Sequence, residues 1–192
     1  MEDLVCNCTD PISMSDFPND CGANNYGYPY LLLFMKRDGH LTCASDAPSL
    51  AQIQAAIGAG GDNNMIVVGP ITNGQRTESG REEETGADTI DGMTNVISQT
   101  LMVTGNLKFL DETVRSDLED LNCEQRLRMW IVTNTGWLFG GCDGYNVSNF
   151  ISGLIQPGYG SRSHIPLDYK WVHDGKDPAV QDDGFIVLTN SS

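Results

Sequence analysis

The run YPYLLLFMK, from Tyr28 to Lys36, is apolar almost without interruption and is bounded by Gly27 and by Arg37-Asp38-Gly39. An apolar run of strand length without polar alternation predicts a strand buried on both faces. Leu50, Ile53 and Ile57 then recur near helical spacing with alanine in the gaps, and Gly58, Gly60 and Gly61 end the segment. This predicts a short helix near 49–57. NMIVVGPI, from Asn64 to Ile71, reads as a short strand. In NVISQTLMVTGNL, Ile97, Leu101 and Val103 fall on one face and Ser98, Thr100 and Thr104 on the other, the pattern of a strand with one solvated face.

In FLDETVRSDLEDLN, Leu110, Val114, Leu118 and Leu121 form one helical stripe, Asp111 suits the N-cap and Glu112 the positive end of the dipole. That predicts an amphipathic helix over about 110–121. RLRMWIVTNTGWLFGG predicts a hairpin, with Leu127, Met129 and Ile131 on one face, Asn134-Thr135-Gly136 at the turn and Trp137-Leu138-Phe139 returning. HIPLDYKWVH and GFIVL supply two closing strands across a polar loop. About six to eight strands, two helices and no βαβ alternation predict a mainly β fold. The expected architecture is an antiparallel β-sandwich or half-barrel with one flanking amphipathic helix.

One segment breaks these patterns. NGQRTESGREEETGADTIDG, from Asn73 to Gly92, has dense charge, four glycines and no apolar period, yet lies between two strand-like runs. It is predicted as a long loop at 72–92 that orders against a neighbouring molecule. Residues 1–25 are rich in Asp, Asn, Pro, Ser and Cys and read as an extended N-terminal arm. The remainder, 26–192, is expected to be a single β-rich domain, because a chain of 192 residues fills one core.

The formal charge of −15, from 26 acidic against 11 basic residues, argues against steering toward nucleic acid or an anionic membrane. No apolar run is long enough for a membrane anchor, and MEDLVCNC lacks the basic start and apolar centre of a signal peptide. Synthesis in the cytoplasm is therefore expected, with Cys6, Cys8, Cys21, Cys43, Cys123 and Cys142 as reduced thiols. The nearest approach to a metal site is Cys6, Cys8 and Cys21 with Cys43 or His40, but C-x-C is tighter than the usual zinc knuckle, and no metal is expected.

Other candidate chemistry is equally unorganised. His40, His164 and His173 all sit beside loop signals with no metal-binding spacing. Cys142, in GGCDGYN, sits in a glycine turn and resembles a nucleophile loop only superficially, because a thiolate nucleophile also needs a base and an orienting group, and it reads as a turn residue. Glu82, Glu83 and Glu84 are adjacent carboxylates without fixed geometry, expected to form a hydrated face.

The order of strand, long acidic segment, VTGNLKFLDETVRSDLEDLN, CEQRLRMWIVTNTGWLFGG and a closing SHIPLDYKW resembles that of the major tail tube proteins of long-tailed bacteriophages. The likeness spans about Asn25 to Val172 and leaves the arm and DGKDPAVQDDGFIVLTNSS unaccounted for. It implies a non-enzymatic virion protein without cofactor that assembles with itself into hexameric rings, stacked into a hollow tube beside other virion proteins. DNA would pass through without specific binding. The resemblance further implies that the long hairpin or loop touches the next ring, which makes Arg76, Glu78, Arg81, Glu82, Glu83 and Glu84 the expected inter-subunit contacts. The alternatives are a capsid decoration or head-to-tail connector protein, and a metal-dependent enzyme built on the N-terminal cysteines.

Overall fold

A computed structural model describes residues 26–84, 95–107, 127–151, 164–173 and 178–189. Among these described residues nine strands follow one another as β1 (Pro29–Lys36), β2 (Met65–Val68), β3 (Ile71–Glu84), β4 (Asn95–Leu107), β5 (Leu127–Thr133), β6 (Trp137–Phe139), β7 (Tyr145–Ile151), β8 (Ile165–His173) and β9 (Ala179–Gln181). A helix, α1 (Leu50–Ala56), lies between β1 and β2. The mainly β expectation holds. The helix expected over 110–121 and the arm at 1–25 lie outside the described residues.

All strand pairings are antiparallel, and the hydrogen-bonded path runs β2-β1-β5-β7-β8-β4-β3. The path folds into two sheets at β7. Its first residues pair with β5, through Tyr145↔Met129 and Val147↔Leu127, while Ser148–Ile151 pair with β8. One strand thus serves both sheets, as at the corner of a half-barrel.

Burial follows from this arrangement. Leu32 and Phe34 of β1 and Leu127, Met129 and Ile131 of β5 face Val103, Leu107, Ile165, Leu167, Tyr169 and Trp171 of the opposite sheet. The alternate residues Leu31, Leu33, Met35, Trp130 and Val132 point the other way, into a second core with Ile53, Ala56, Phe185 and Leu188. The first sheet is therefore a middle layer, which is why β1 carries an unbroken apolar run and β8, covered by core on one face, alternates.

The outer layer is set by two local signals. Ser49 caps α1 by a reciprocal box: its hydroxyl accepts from the Gln52 amide and the Gln52 side chain accepts from the Ser49 amide at 2.7 Å. GFIVL, expected as a strand, instead belongs to a 3-10 turn, Asp183–Val187, opened by Asp182 accepting from the Gly184 amide at 2.8 Å. The reason is spacing: Phe185 and Leu188 both enter the second core, which residues three apart do in a helical turn and not in a flat strand.

The expected hairpin at Asn134-Thr135-Gly136 is present, with Ile131↔Phe139 and Val132↔Leu138 in register. After β6, Gly140 and Gly144 lie against the Trp130 ring, where an added Cβ would come within 2.9 Å of ring atoms. The Trp130 indole donates to the Gly141 carbonyl at 2.7 Å, so the buried ring and the glycine turn fix one another.

Candidate assembly surface and the arginine cage beneath it

The predicted loop at 72–92 is, as far as Glu84, a strand. β3 pairs with β4 from Ile71↔Leu107 to Glu84↔Asn95, forming a long antiparallel ribbon at the edge of the second sheet. β8 supports this ribbon only up to His173, opposite Gln99. Among the described residues, the last part of the ribbon has no third strand.

Register shifts explain why no period of two shows in the sequence. Thr72 pairs with Asn106 and Gln75 with Thr104, which places one extra residue in β3 around Asn73-Gly74. Asn73 has φ 55°, and an added Cβ on Gly74 would lie 2.1 Å from the Pro29 carbonyl oxygen. The bulge brings Ile71 and Arg76, five residues apart, onto the same inward face. A second shift between Glu78 and Gly80 turns Arg81 to that face as well. Three rows follow: Arg76-Val103-Tyr169, Glu78-Leu101-Trp171 and Arg81-Gln99-His173.

Arg76, expected at an inter-subunit contact, is engaged within its own chain. Its guanidinium carbon lies 5.0 Å from the Phe139 ring centre, 5.8 Å from Tyr145 and 5.6 Å from Trp171. Tyr145 and Trp171 are themselves stacked, with centroids 4.6 Å apart. Tyr26 packs edge-on against Phe139 at 5.4 Å and against Trp137 at 5.0 Å, extending the row to the surface. The cation joins the edge strand of one sheet to β6 of the other, between the layers.

Glu78 and Arg81 are paired with each other: Arg81 Nε donates to Glu78 Oε1 at 3.0 Å, Nη2 donates to Oε2 at 3.3 Å, and the Gln99 amide donates to Oε2 at 2.9 Å. In a regular strand residues three apart face opposite sides, so the bulge between them makes this pair possible. Both side chains are over a third exposed, and such a pair contributes about 0–1 kcal/mol. Glu82, Glu83 and Glu84 continue β3, opposite Ser98, Val96 and Asn95.

The candidate metal and catalytic residues are not gathered. Cys6, Cys8 and Cys21 lie outside the described residues. Cys43 is removed from any zinc set by a disulfide to Cys142, 99 residues away, which corrects the expectation that both are reduced thiols and leaves Cys142 without a free nucleophile. His40 follows β1, His164 precedes β8 and His173 ends it. Among the described residues no three His, Cys, Asp or Glu side chains are grouped to hold a metal, and no helix is long and apolar enough to cross a membrane. Buried Tyr169 has its hydroxyl without a hydrogen-bond partner among the described residues, and burial pushes that group well above the ordinary tyrosine range.

No protein family and no curated protein matches the chain. Among solved structures it is similar to a chain of the virion of a native gene transfer agent particle, at 8% identity and TM-score 0.37, over 57% of this chain and 84% of that one. It is also similar to a chain of the tail of an empty gene transfer agent particle of C6 symmetry, at 11% identity and TM-score 0.34, over 57% and 81%. Both superpositions are looser than a shared fold requires.

Proposed function

We propose that this chain is a non-enzymatic virion structural subunit, specifically one that assembles into stacked rings of a phage tail tube. The observation that carries the reading is β3. It is 14 residues long, ends the sheet, and offers an outer row of backbone donors and acceptors with no strand beside it among the described residues. A partner strand would satisfy that row, and the two bulges limit pairing to registers that accommodate both.

Charge supports the same reading. At −15 the chain repels nucleic acid, which suits a wall past which DNA slides without sticking. Hexameric symmetry and contact between rings through the β3–β4 ribbon come from the resemblance to tail tube proteins. Heterologous contacts of that kind stack openly instead of closing on themselves.

Electron microscopy of the purified full chain tests the proposal. Hollow tubes with a central channel are the expected result. Closed, discrete oligomers would favour a decoration or connector protein, and a chain that stays monomeric at high concentration would overturn the assembly reading.

A further inference from the structure

Between β1 and α1, residues 37–49 form a strap without helix or strand across the outer core, where Leu41 packs and Pro48 is buried. The Gln52 side-chain amide donates to the Thr42 carbonyl, the His40 amide to the Asn63 side chain at 3.1 Å, and the Cys142 amide to the Asp46 carbonyl at 2.9 Å. Arg128 Nε donates to the Arg37 carbonyl at 3.0 Å, and the Cys43–Cys142 disulfide adds a covalent tie.

Two features separate this disulfide from a core staple. Neither cysteine belongs to either apolar cluster, so both cores are complete without the bond. Both cysteines are half-buried and line an open cleft of about 740 Å³, with Cys43, Ser45 and Asp46 on the strap side and Cys142, Asn146 and His173 opposite. A small thiol can therefore reach the sulfurs without unfolding the chain, and the bond spans the two walls.

We propose that Cys43–Cys142 is a reversible redox latch, open as two thiols in a reducing compartment and closed when the chain meets oxidising surroundings. Closure is thiol–disulfide exchange with a small-molecule disulfide such as oxidised glutathione. One cysteine thiolate attacks it, releases one glutathione thiolate and forms a mixed disulfide. The other cysteine thiolate then attacks the protein sulfur of that bond and expels the second glutathione. Two protein thiols are oxidised and one glutathione disulfide is reduced to two thiols; excess reduced glutathione reverses the sequence. Closed, the latch fixes the strap and the width of the cleft; open, it frees the strap while β1 and β5 stay packed.

The test uses the folded full chain and does not depend on whether it assembles. Millimolar reduced glutathione is added without denaturant, accessible thiols are alkylated, and peptides are analysed by mass spectrometry alongside amide hydrogen exchange. Cys43 and Cys142 should become alkylated together, and exchange at 40–46 and at the Cys142 amide should rise about tenfold or more while β1 and β5 keep their protection. Oxidised glutathione should restore the starting pattern. The double variant C43S/C142S should fold, show the fast-exchanging strap permanently and ignore glutathione. A bond that yields only after denaturant is added, or a reduction that raises exchange in β1 and β5 as much as in the strap, would overturn the latch.

Discussion

Arg76 and Phe139 meet at 5.0 Å although β3 and β6 belong to different sheets and share no ladder. Their contact closes one end of the space between the layers, with Tyr145 and Trp171 forming the rest of the cage. A guanidinium is suited to that position because it is planar, weakly hydrated and able to lie over several rings.

Replacing Arg76 separates packing from charge. Arg76→Ala removes the stem and the cation and should cost the isolated subunit about 1–3 kcal/mol. Arg76→Met keeps much of the stem, so its smaller loss reports the cation–ring term, about 0.5–2 kcal/mol. Urea unfolding of both variants checks this; equal stability of wild type and Arg76→Ala would mean that the cage holds nothing together.

Glycine positions in β3 should differ sharply. A Cβ on Gly74 meets the Pro29 carbonyl oxygen at 2.1 Å, whereas one on Gly80 meets nothing within 4 Å. Gly74→Ala should destabilise by about 2 kcal/mol or more because the backbone of β1 or β3 must move, and Gly80→Ala should stay within about 0.5 kcal/mol of wild type. Thermal unfolding of the pair measures the difference.

These two sites also show what the chain makes legible. β1 could be read from its apolar run because both faces are buried, and the 134–136 turn because its glycine, with φ 80°, stands where the hairpin requires it. β3 could not: its bulges place Arg76, Glu78 and Arg81 on the face of Ile71, so its inward residues follow no fixed period, and three of them are charged. The residues Arg76, Glu78 and Arg81 were identifiable as a charged set, but their partners were not. Arg76 lies among rings contributed by β6, β7 and β8, a relationship created by the sheet corner. The Cys43–Cys142 bond was hidden for the same reason, since a sequence separation of 99 carries no local signal of it.

Tyr169 gives a pH prediction with a defined sign. Its folded-state pKa is raised by burial, so the fold favours the neutral phenol. The corresponding stability is fully present below the unfolded tyrosine value of about 10 and is lost as pH rises toward the higher folded value. Tyr169→Phe keeps the ring against Phe34, 4.8 Å away, and removes a buried hydroxyl that has no partner among the described residues. The variant should match wild type at neutral pH to within about 1 kcal/mol, or exceed it. Its stability should fall less steeply from about pH 9 to about pH 11 in urea titrations.

Arg81 offers a direct test of the β3 edge as an assembly surface. Its side chain is 45% exposed, and β3 lacks an outer strand there among the described residues, so trypsin can approach once the ribbon opens locally. In an assembly that pairs this edge, opening must also break intersubunit backbone bonds. Cleavage after Arg81 should then be about tenfold or more slower in assembled material than in free subunits under the same conditions. Cleavage at equal rates would show that the edge stays uncovered, and the neighbour would have to contact another face. Glu78→Gln sharpens the comparison, because losing an exposed pair worth about 0–1 kcal/mol should speed cleavage of the free subunit only slightly. A large acceleration confined to the assembled form would instead place the Glu78–Arg81 pair within the intersubunit contact.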